Sequence, residues 1–566
     1  MAGRLTRHGS QGRLRGRLSA AAVVLLVAVL PVGSSGSQAA VAAAATPATA
    51  AARFAPPGQV VDFDADLVMP GAGQIQAAAA GISNPASPAY RQYLSAAAFG
   101  ARFGLPVAQI SEAAAWLTGH GFQVVSRPAN RSYLGLRGTA GQLQATFGVG
   151  LLDQGDPSGI AYHLPLGTAA VPLALRPYVR AISGLDTSPA SRPQPRFGPA
   201  NGLHPADLAK AYGIDALHSQ GLDGSGQSVA VVSFDTFDPR DITDFDNATG
   251  ISGPAVQSIR LAGAPKEPGD GQDEVSLDLE TIRAIAPKAQ IYDYEAPQSA
   301  NWSDVINRIV EDGKVQIVSI SWGRCEPFAD PLAGDPDDVA LASAEMAGLS
   351  IFVSSGDNGA YDCLDEPNGL ARDFTVAADY PAVSPHVIAV GGTYLSIHQD
   401  GSYLGEVAWQ DPLGQAGSGG GLSQVFPQPS WQVGPGVANA QSTGKRQVPD
   451  VAGPADPASG MFVVSDGEGE VVGGTSAATP FWAGSMVLAQ ELAAKDGIGK
   501  LGFLDPILYS LAAAHQADGT LFHDVTAGAN LLYPAATGWD YATGWGSPRL
   551  DALVPAIVAY VRAHPH

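Results

Sequence analysis

Cysteine is nearly absent from this 566-residue chain, which has only Cys325 and Cys363. Two cysteines cannot staple a small disulfide scaffold, and no Cys/His cluster suggests zinc, so stability must come from a packed interior. A hydrophobic content of 45% is ample for that. Basic residues are scarce too, with 31 Lys+Arg against 53 Asp+Glu and a net charge of −22. A body this acidic disfavours nucleic acid as a partner. It is compatible with work at low pH, where carboxylates are protonated, and equally with plain solubility. Long apolar runs are missing beyond the first 30 residues, so no stable membrane insertion is expected. There is no internal repeat and no EF-hand loop.

The N-terminus has the pattern of an export signal. Arg4, Arg7, Arg13, Arg15 and Arg17 precede the apolar stretch from Leu18 to Leu30, and Ala-Val-Ala follows at 40–42. Residues 1–42 are therefore expected to be removed, and the protein to be secreted and extracellular. In that setting a Cys325–Cys363 disulfide is favoured over two free thiols. Residues 43–185 form a compact α+β pattern. Residues 186–202, with Pro189, Pro193, Pro195 and Pro199, read as an exposed linker suited to proteolytic processing. Residues 1–185 hold 13 basic and 6 acidic residues, so the excess of negative charge lies in the body from 203 to 566.

That body alternates strand-length apolar runs with helical patterns. The runs begin at Ser228, Ala289, Gln316, Leu349 and Val387, and the helical patterns span 274–286, 303–313 and 337–347. Such alternation predicts an α/β fold with a mostly parallel sheet flanked by helices. Ligands in such folds sit beyond the C-terminal ends of the strands.

The most informative stretch is Gly473-Gly-Thr-Ser476-Ala-Ala-Thr-Pro480. It joins a predicted hairpin at 461–472 to a helical pattern, and Pro480 is expected in the first helical turn. Ser476 thus stands where a strand becomes a helix, a place suited to a nucleophile and to the oxyanion it generates. A Gly-Thr-Ser turn that merely caps a helix is the other reading. Glu274 and Asp278 are four apart on a predicted helix and project from one face, with Asp273 and Glu280 expected towards solvent. Two carboxyls in contact cannot both ionise cheaply, so they share a proton and can act as base and then acid in acidic surroundings. A solvated acidic helix face is the alternative. Asp357, in Ser354-Ser-Gly-Asp-Asn-Gly359 after a buried-looking strand, could cap a turn or, if protonated, donate to an oxyanion. Ser321, Trp322 and Gly323 end another strand, and Gly419 and Gly420 lie in a glycine run. These five are candidates for substrate binding, with a core role open for Trp322 and mere loop flexibility for the glycines. Asp524 and Asp540 with loop carbonyls suit a hard cation such as Ca²⁺.

The Ser476 block resembles the nucleophile motif of the subtilisin-like serine peptidase clan. A subtilisin also carries a His-Gly-Thr motif, and here the two His-Gly pairs, His8-Gly9 and His120-Gly121, are followed by Ser10 and Phe122. The ordered set Glu274-x-x-x-Asp278, Ser319-Ile-Ser-Trp-Gly323, Ser355-Gly-Asp357, Gly473-Gly-Thr-Ser476 and the Asp524/Asp540 blocks instead resembles the sedolisin family of serine-carboxyl peptidases, kumamolisin-like members included. The segment Tyr90–Gly104 and the end Val179–Leu185 resemble that family's activation prodomain, and His204-Pro-Ala-Asp resembles the start of its mature enzyme. The resemblance implies a subtilisin-like fold behind an α+β prodomain. It makes Ser476 the nucleophile, Glu274 its base and acid, Asp278 the group tuning Glu274, and Asp357 the oxyanion carboxyl. One structural Ca²⁺ is implied on Asp524, Asp540 and the carbonyls of Val525, Ala536 and Gly538, Ala536 standing where the family has Gly. Kumamolisin-like members also extend the carboxyl network with a Glu near 228–234, where this chain has Ser233-Phe-Asp235. The expected protein is a monomeric, acid-acting endopeptidase of polypeptides, inhibited by its own prodomain. A dead peptidase scaffold used for binding is the alternative. Opposite net charges are expected to hold prodomain and body together near neutrality and to loosen in acid.

Overall fold

The structure, a computed structural model, describes residues 52–155, 161–188, 196–198, 202–329, 331–332, 334–365 and 374–565. The expected signal segment and much of the linker lie outside the described residues.

The N-terminal part is built on strand β1 (Val60–Leu67). Its alternate residues Val61, Phe63, Ala65 and Leu67 are buried, the period expected of a sheet covered on one face. Helices α1 (Ala72–Ser83), α2 (Ala96–Phe103) and α3 (Val107–Gly119) follow, then β2 (Gln123–Ser126), β3 (Tyr133–Thr139), α4 (Ala140–Phe147) and β4 (Val179–Ser183). The four strands form an antiparallel sheet in the order β2-β3-β1-β4. Phe63, Phe122 and Phe147 meet edge-on and tilted at the centre of its core. Thr139 and Gln142 close a reciprocal capping box on α4, which ends at the left-handed Gly148.

Strand β5 (Arg196–Phe197) belongs to the linker. The body then supplies β6 (Ser228–Ser233), β7 (Gln257–Arg260), α5 (Gln272–Ile285), β8 (Gln290–Glu295), α6 (Trp302–Asp312), β9 (Ile317–Ile320), α7 (Pro336–Met346), β10 (Ser350–Ser354), β11 (Ile388–Ile397), β12 (Tyr403–Ala408) and β13 (Val451–Pro454). The strand order is β7-β8-β6-β9-β10-β11-β12, with β13 also on β11; only β12 runs antiparallel. Val229, Ala230, Val231 and Val232 are all fully buried, as a strand covered on both faces requires. The hairpin β14 (Met461–Ser465) and β15 (Glu468–Gly473) leads into α8 (Thr475–Lys495), whose first 17 residues are all buried. The sheet, α5 and α8 share one continuous core. This is the subtilisin-like α/β fold, and the predicted elements lie within a few residues of their expected bounds. Cys325 and Cys363 are disulfide-bonded.

The prodomain docks on α6 and α7. Apolar residues of α1 and α2 pack on Val339, Ala342 and Met346 of α7. Asn130 donates to Asn307 (2.6 Å), Asn301 to Asp64 (2.8 Å), Ser83 to Glu345 (2.7 Å), and the Ala129 N–H to Glu311 (2.6 Å); Tyr133 donates to Asp304. This interface does not match basic against acidic. Asp64 and Asp66 come from the prodomain and Asp304, Asp335 and Asp337 from the body, with Arg180 at 3.6 Å from Asp66 as a counter-charge. Burial, then the charge of Asp304, pushes Asp64 well above the ordinary carboxyl range. Burial pushes Asp66 up to about 6 and Asp337 up to about 7. A raised carboxyl favours the docked state once protonated and opposes it once charged. Docking through these groups therefore gains as pH falls through about 7 to 6, the reverse of the net-charge expectation. The reason is that net charge is screened over about 8 Å, whereas buried neighbours are not. In the proform inactivated by Ser476→Ala, Asp64→Asn should raise Tm by about 2 °C or more at neutral pH and leave it unchanged in acid. A rise of equal size at both pH values, read by calorimetry, would contradict this.

Candidate active site

Ser476 is the second residue of α8, directly after the strand β15. Gly474 turns the chain there with φ 111°, in the region that favours glycine, and its N–H donates to the Ala455 carbonyl at 2.6 Å. Pro480 is the sixth residue of the helix rather than part of its first turn. Its missing N–H would have bonded the Ser476 carbonyl. Instead the Ser321 hydroxyl approaches that carbonyl at 3.2 Å, while its shorter bond, 2.5 Å, goes to Asp278 Oδ1. One side chain at the end of β9 thus ties the helix that carries Ser476 to the acid pair on α5. Ser476 Oγ in turn donates to the Ser321 carbonyl at 3.3 Å.

Glu274 and Asp278 are both 0% exposed. Both Glu274 oxygens and Asp278 Oδ2 are buried without a hydrogen-bond partner. Burial, then the charge of Asp278, raises Glu274 well above the ordinary range, and the nearby Ser476 hydroxyl works the other way. Burial raises Asp278 as well, against the pull of Ser321. The pair therefore shares a proton rather than carrying two charges. The other acids of α5 do not face solvent as expected. Asp273 accepts from Ser465 Oγ (2.6 Å) and Glu280 from the Val464 N–H (2.7 Å), so both anchor the hairpin to α5. Asp235, just past β6, accepts from the N–H groups of Gly269 and Gly271 (3.1 and 2.8 Å) and fixes the start of α5.

Asp357 lies just past β10, and its Oδ1 accepts from both the N–H and the hydroxyl of Thr475, each at 2.8 Å. It thereby reaches the start of α8 beside Ser476. The linker meets it there: β5 pairs antiparallel with β15, Phe197 opposite Val472 and Arg196 opposite Gly473. The Arg196 guanidinium lies 3.9 Å from Asp357 and donates to Asn358 at 3.0 Å. Sequence reasoning did not single out Arg196; a cation inside an otherwise Pro-rich linker was the available signal.

The five residues expected to bind substrate fall differently. Ser321 is buried and holds Asp278. Trp322 is fully buried against Phe234. Glycine at 323, 419 and 420 is needed because the protein itself approaches: a Cβ would meet Asp379 at 2.1 Å, the Ser355 carbonyl at 1.8 Å and the Tyr541 carbonyl at 2.0 Å. The Gly419 N–H also bonds the Gly356 carbonyl at 2.8 Å, beside Asp357.

At the C-terminal end, Asp540 is 5% exposed and accepts from the N–H groups of Ala536, Ala542 and Thr543 (2.7, 2.8 and 2.8 Å). Asp524 accepts from the Gly538 N–H (3.1 Å) and from Gln516 (3.1 Å). Both carboxylates thus hold the loop that contains Ala536 and Gly538, and its donors are all oxygen. Among the described residues no group of three or more His, Cys, Asp or Glu is placed to hold a metal.

The Subtilase family profile matches residues 246–546, and the Pro-kumamolisin activation domain profile matches residues 47–188. Kumamolisin of Bacillus sp. (strain MN-32) is 34% identical over 505 residues, covering 83% of this chain and 87% of its own. The chain belongs to the sedolisin family of serine-carboxyl peptidases. Sedolisin of Pseudomonas sp. (strain 101) is 28% identical, covering 90% of this chain and 88% of its own. Tripeptidyl-peptidase 1 of Canis lupus familiaris is 27% identical over 71% of this chain and 74% of its own. The structure of Pseudomonas sedolisin (serine-carboxyl proteinase) complexed with two molecules of pseudo-iodotyrostatin aligns with TM-score 0.54 and 30% identity, over 65% of this chain and 99% of that one. This sedolisin-family chain therefore carries an activation prodomain ahead of a subtilase domain.

Because Gly419 has no room for a Cβ, Gly419→Ala should destabilise the Ser476→Ala proform by about 2–4 kcal/mol. Denaturant unfolding checks this, and a change below about 0.5 kcal/mol, the range of neutral surface substitutions, would refute the packing argument.

Proposed function

We propose that the protein is the proenzyme of a secreted, monomeric endopeptidase that cleaves polypeptides in acid through Ser476, Glu274, Asp278 and Asp357. The observation that supports this best is the fully buried carboxyl pair on α5, tied through Ser321 to the helix that carries Ser476. Glu274 takes the Ser476 hydroxyl proton as Oγ attacks the scissile carbonyl, and Asp278 shares the added proton. Collapse of the tetrahedral species breaks the C–N bond, Glu274 returns the proton to the leaving amine, and water then hydrolyses the acyl-enzyme in the reverse proton sequence. Asp357, once protonated and clear of Arg196, donates to the oxyanion. The arginine-rich, apolar N-terminus supports export. Among the described residues no helix is long and apolar enough to cross a membrane.

A structural Ca²⁺ belongs to this reading. Asp524 and Asp540 with the carbonyls of Val525, Ala536 and Gly538 would hold it, an all-oxygen set suited to that ion. The bound ion would neutralise two carboxylates, one of them buried.

Ser476→Ala and Glu274→Ala should each lower kcat by several orders of magnitude, since members of a catalytic set act as a unit. Asp357→Ala should lose about 10²–10³-fold. Peptide hydrolysis across pH measures this; activity retained in Ser476→Ala, or self-processing of that variant on acidification, would refute the mechanism. Chelation should lower the Tm of the mature protein, because an ion bound only by the folded state stabilises it. An unchanged Tm, with no calcium found by elemental analysis, would remove the ion from the account.

A further inference from the structure

Behind the acid pair, on the side away from the linker, the central sheet carries charge where a parallel strand should be apolar. Strand β8 ends Tyr292-Asp293-Tyr294-Glu295, and both acids are 0% exposed. Two residues apart, they share one face of the sheet. The register sets Glu295 opposite Ser233 of β6, and the Ser233 hydroxyl donates to Asp293 Oδ1 at 2.6 Å. Asp293 Oδ2 is buried without a hydrogen-bond partner, as are Asp278 Oδ2 and both oxygens of Glu274. Glu295 is the opposite case, since it accepts from Thr236 Oγ1 at 3.0 Å and from Arg260 Nε at 2.6 Å.

We propose that Asp293 is a positioning residue for the Glu274–Asp278 pair, a second buried carboxyl that shares the pair's proton inventory and is balanced through Glu295 by Arg260. The proposal rests on the acid-peptidase reading above. The groups around Asp293 are Glu295 on its own strand, Asp278 on α5 and Ser233 on β6; beyond Glu295 lie Thr236 and Arg260, and beyond Asp278 lies Glu274, which Asp357 and Asp273 also face. A buried carboxylate without a partner costs several kcal/mol; Glu295 has a guanidinium and a hydroxyl to receive the charge, whereas Asp293 has only the Ser233 hydroxyl and shares the protons and the residual charge of the Glu274–Asp278 pair. Burial, then the charge of Glu295, moves Asp293 well above the ordinary range, and Asp278 adds to it. The carboxyl that the family resemblance implies near 228–234 is thus supplied one strand over, and the Ser233 hydroxyl bonds it. Arg260 is half exposed and lines a cavity of about 1050 Å³ between prodomain and body, so this buried network has its charged end at that wall.

Negative neighbours raise one another's apparent pKa, and a cation lowers them. The test is kcat/KM against pH for the activated enzyme and two variants. Asp293→Asn should move the alkaline limb down by about one pH unit, and Arg260→Gln should move it up, because these limbs report the essential groups of the free enzyme. Opposite shifts support the proposal. Any other pattern overturns it, including a uniform fall in kcat with both limbs in place, which a purely structural role would give. Should Asp293→Asn not fold, the half-exposed Arg260→Gln decides alone by moving the limb up or failing to. A wild type inactive on peptides at every pH refutes the acid-peptidase reading itself. An active wild type whose limbs do not respond refutes only the role of Asp293.

Discussion

The site depends on keeping two carboxyls of one helical turn dry beside a serine. Glu274 and Asp278 are fully buried with few hydrogen bonds, so the region tolerates little negative charge. An uncompensated buried ion costs several kcal/mol, and retaining a proton avoids that cost. A histidine base would titrate near neutrality. A carboxyl base raised by burial and by its neighbour instead works where the pair holds one proton. On the proposed mechanism, a preference for acid is a property of the surrounding fold, of the buried α5 and α8 and the sheet beneath them, as much as of the two side chains. Ser321 is what keeps the arrangement in register, since one hydroxyl faces both Asp278 and the carbonyl that Pro480 leaves unbonded.

The prodomain face follows the same logic on a larger scale. Carboxyls from both partners are buried together at the docking surface, and Arg180 is the cation beside them. Summed charge would have prodomain and body attract at neutrality. Local burial reverses the sign, because desolvation acts on each carboxyl in full while long-range attraction is screened.

Much of this was legible in the sequence, for stated reasons. Apolar runs such as 228–233 and 350–354 announce buried parallel strands because nearly every side chain in them is covered. Glu274, Asp278, Asp357 and Ser476 were singled out by the ordered motifs that resemble the sedolisin family, since their local spacing alone fits a solvated helix face or a simple cap equally well. What was not legible depends on three-dimensional neighbours. Ser321 and Trp322 end a strand and read as cleft residues, yet both point into packed surroundings. Glu280 reads as solvent-facing by helical period, but a hairpin covers that side of α5. Asp293 carried a signal, a charge inside a buried strand, that gains meaning only once Asp278 is placed beside it.

The linker adds a last step. Arg196 and Phe197 extend the β14–β15 hairpin by backbone pairing, which does not titrate, so this strand keeps its register whatever the pH. The contact between Arg196 and Asp357 is different, because an ion pair needs the carboxylate charged. Acid therefore acts in opposite directions at the outer interface, where carboxyls must be neutral, and at the Arg196–Asp357 contact, where a carboxylate holds a cation. The segment beside Ser476 is then held chiefly by its main chain while the domain that carries it stays docked. Proton uptake thus loosens the Arg196–Asp357 contact while it favours the outer interface.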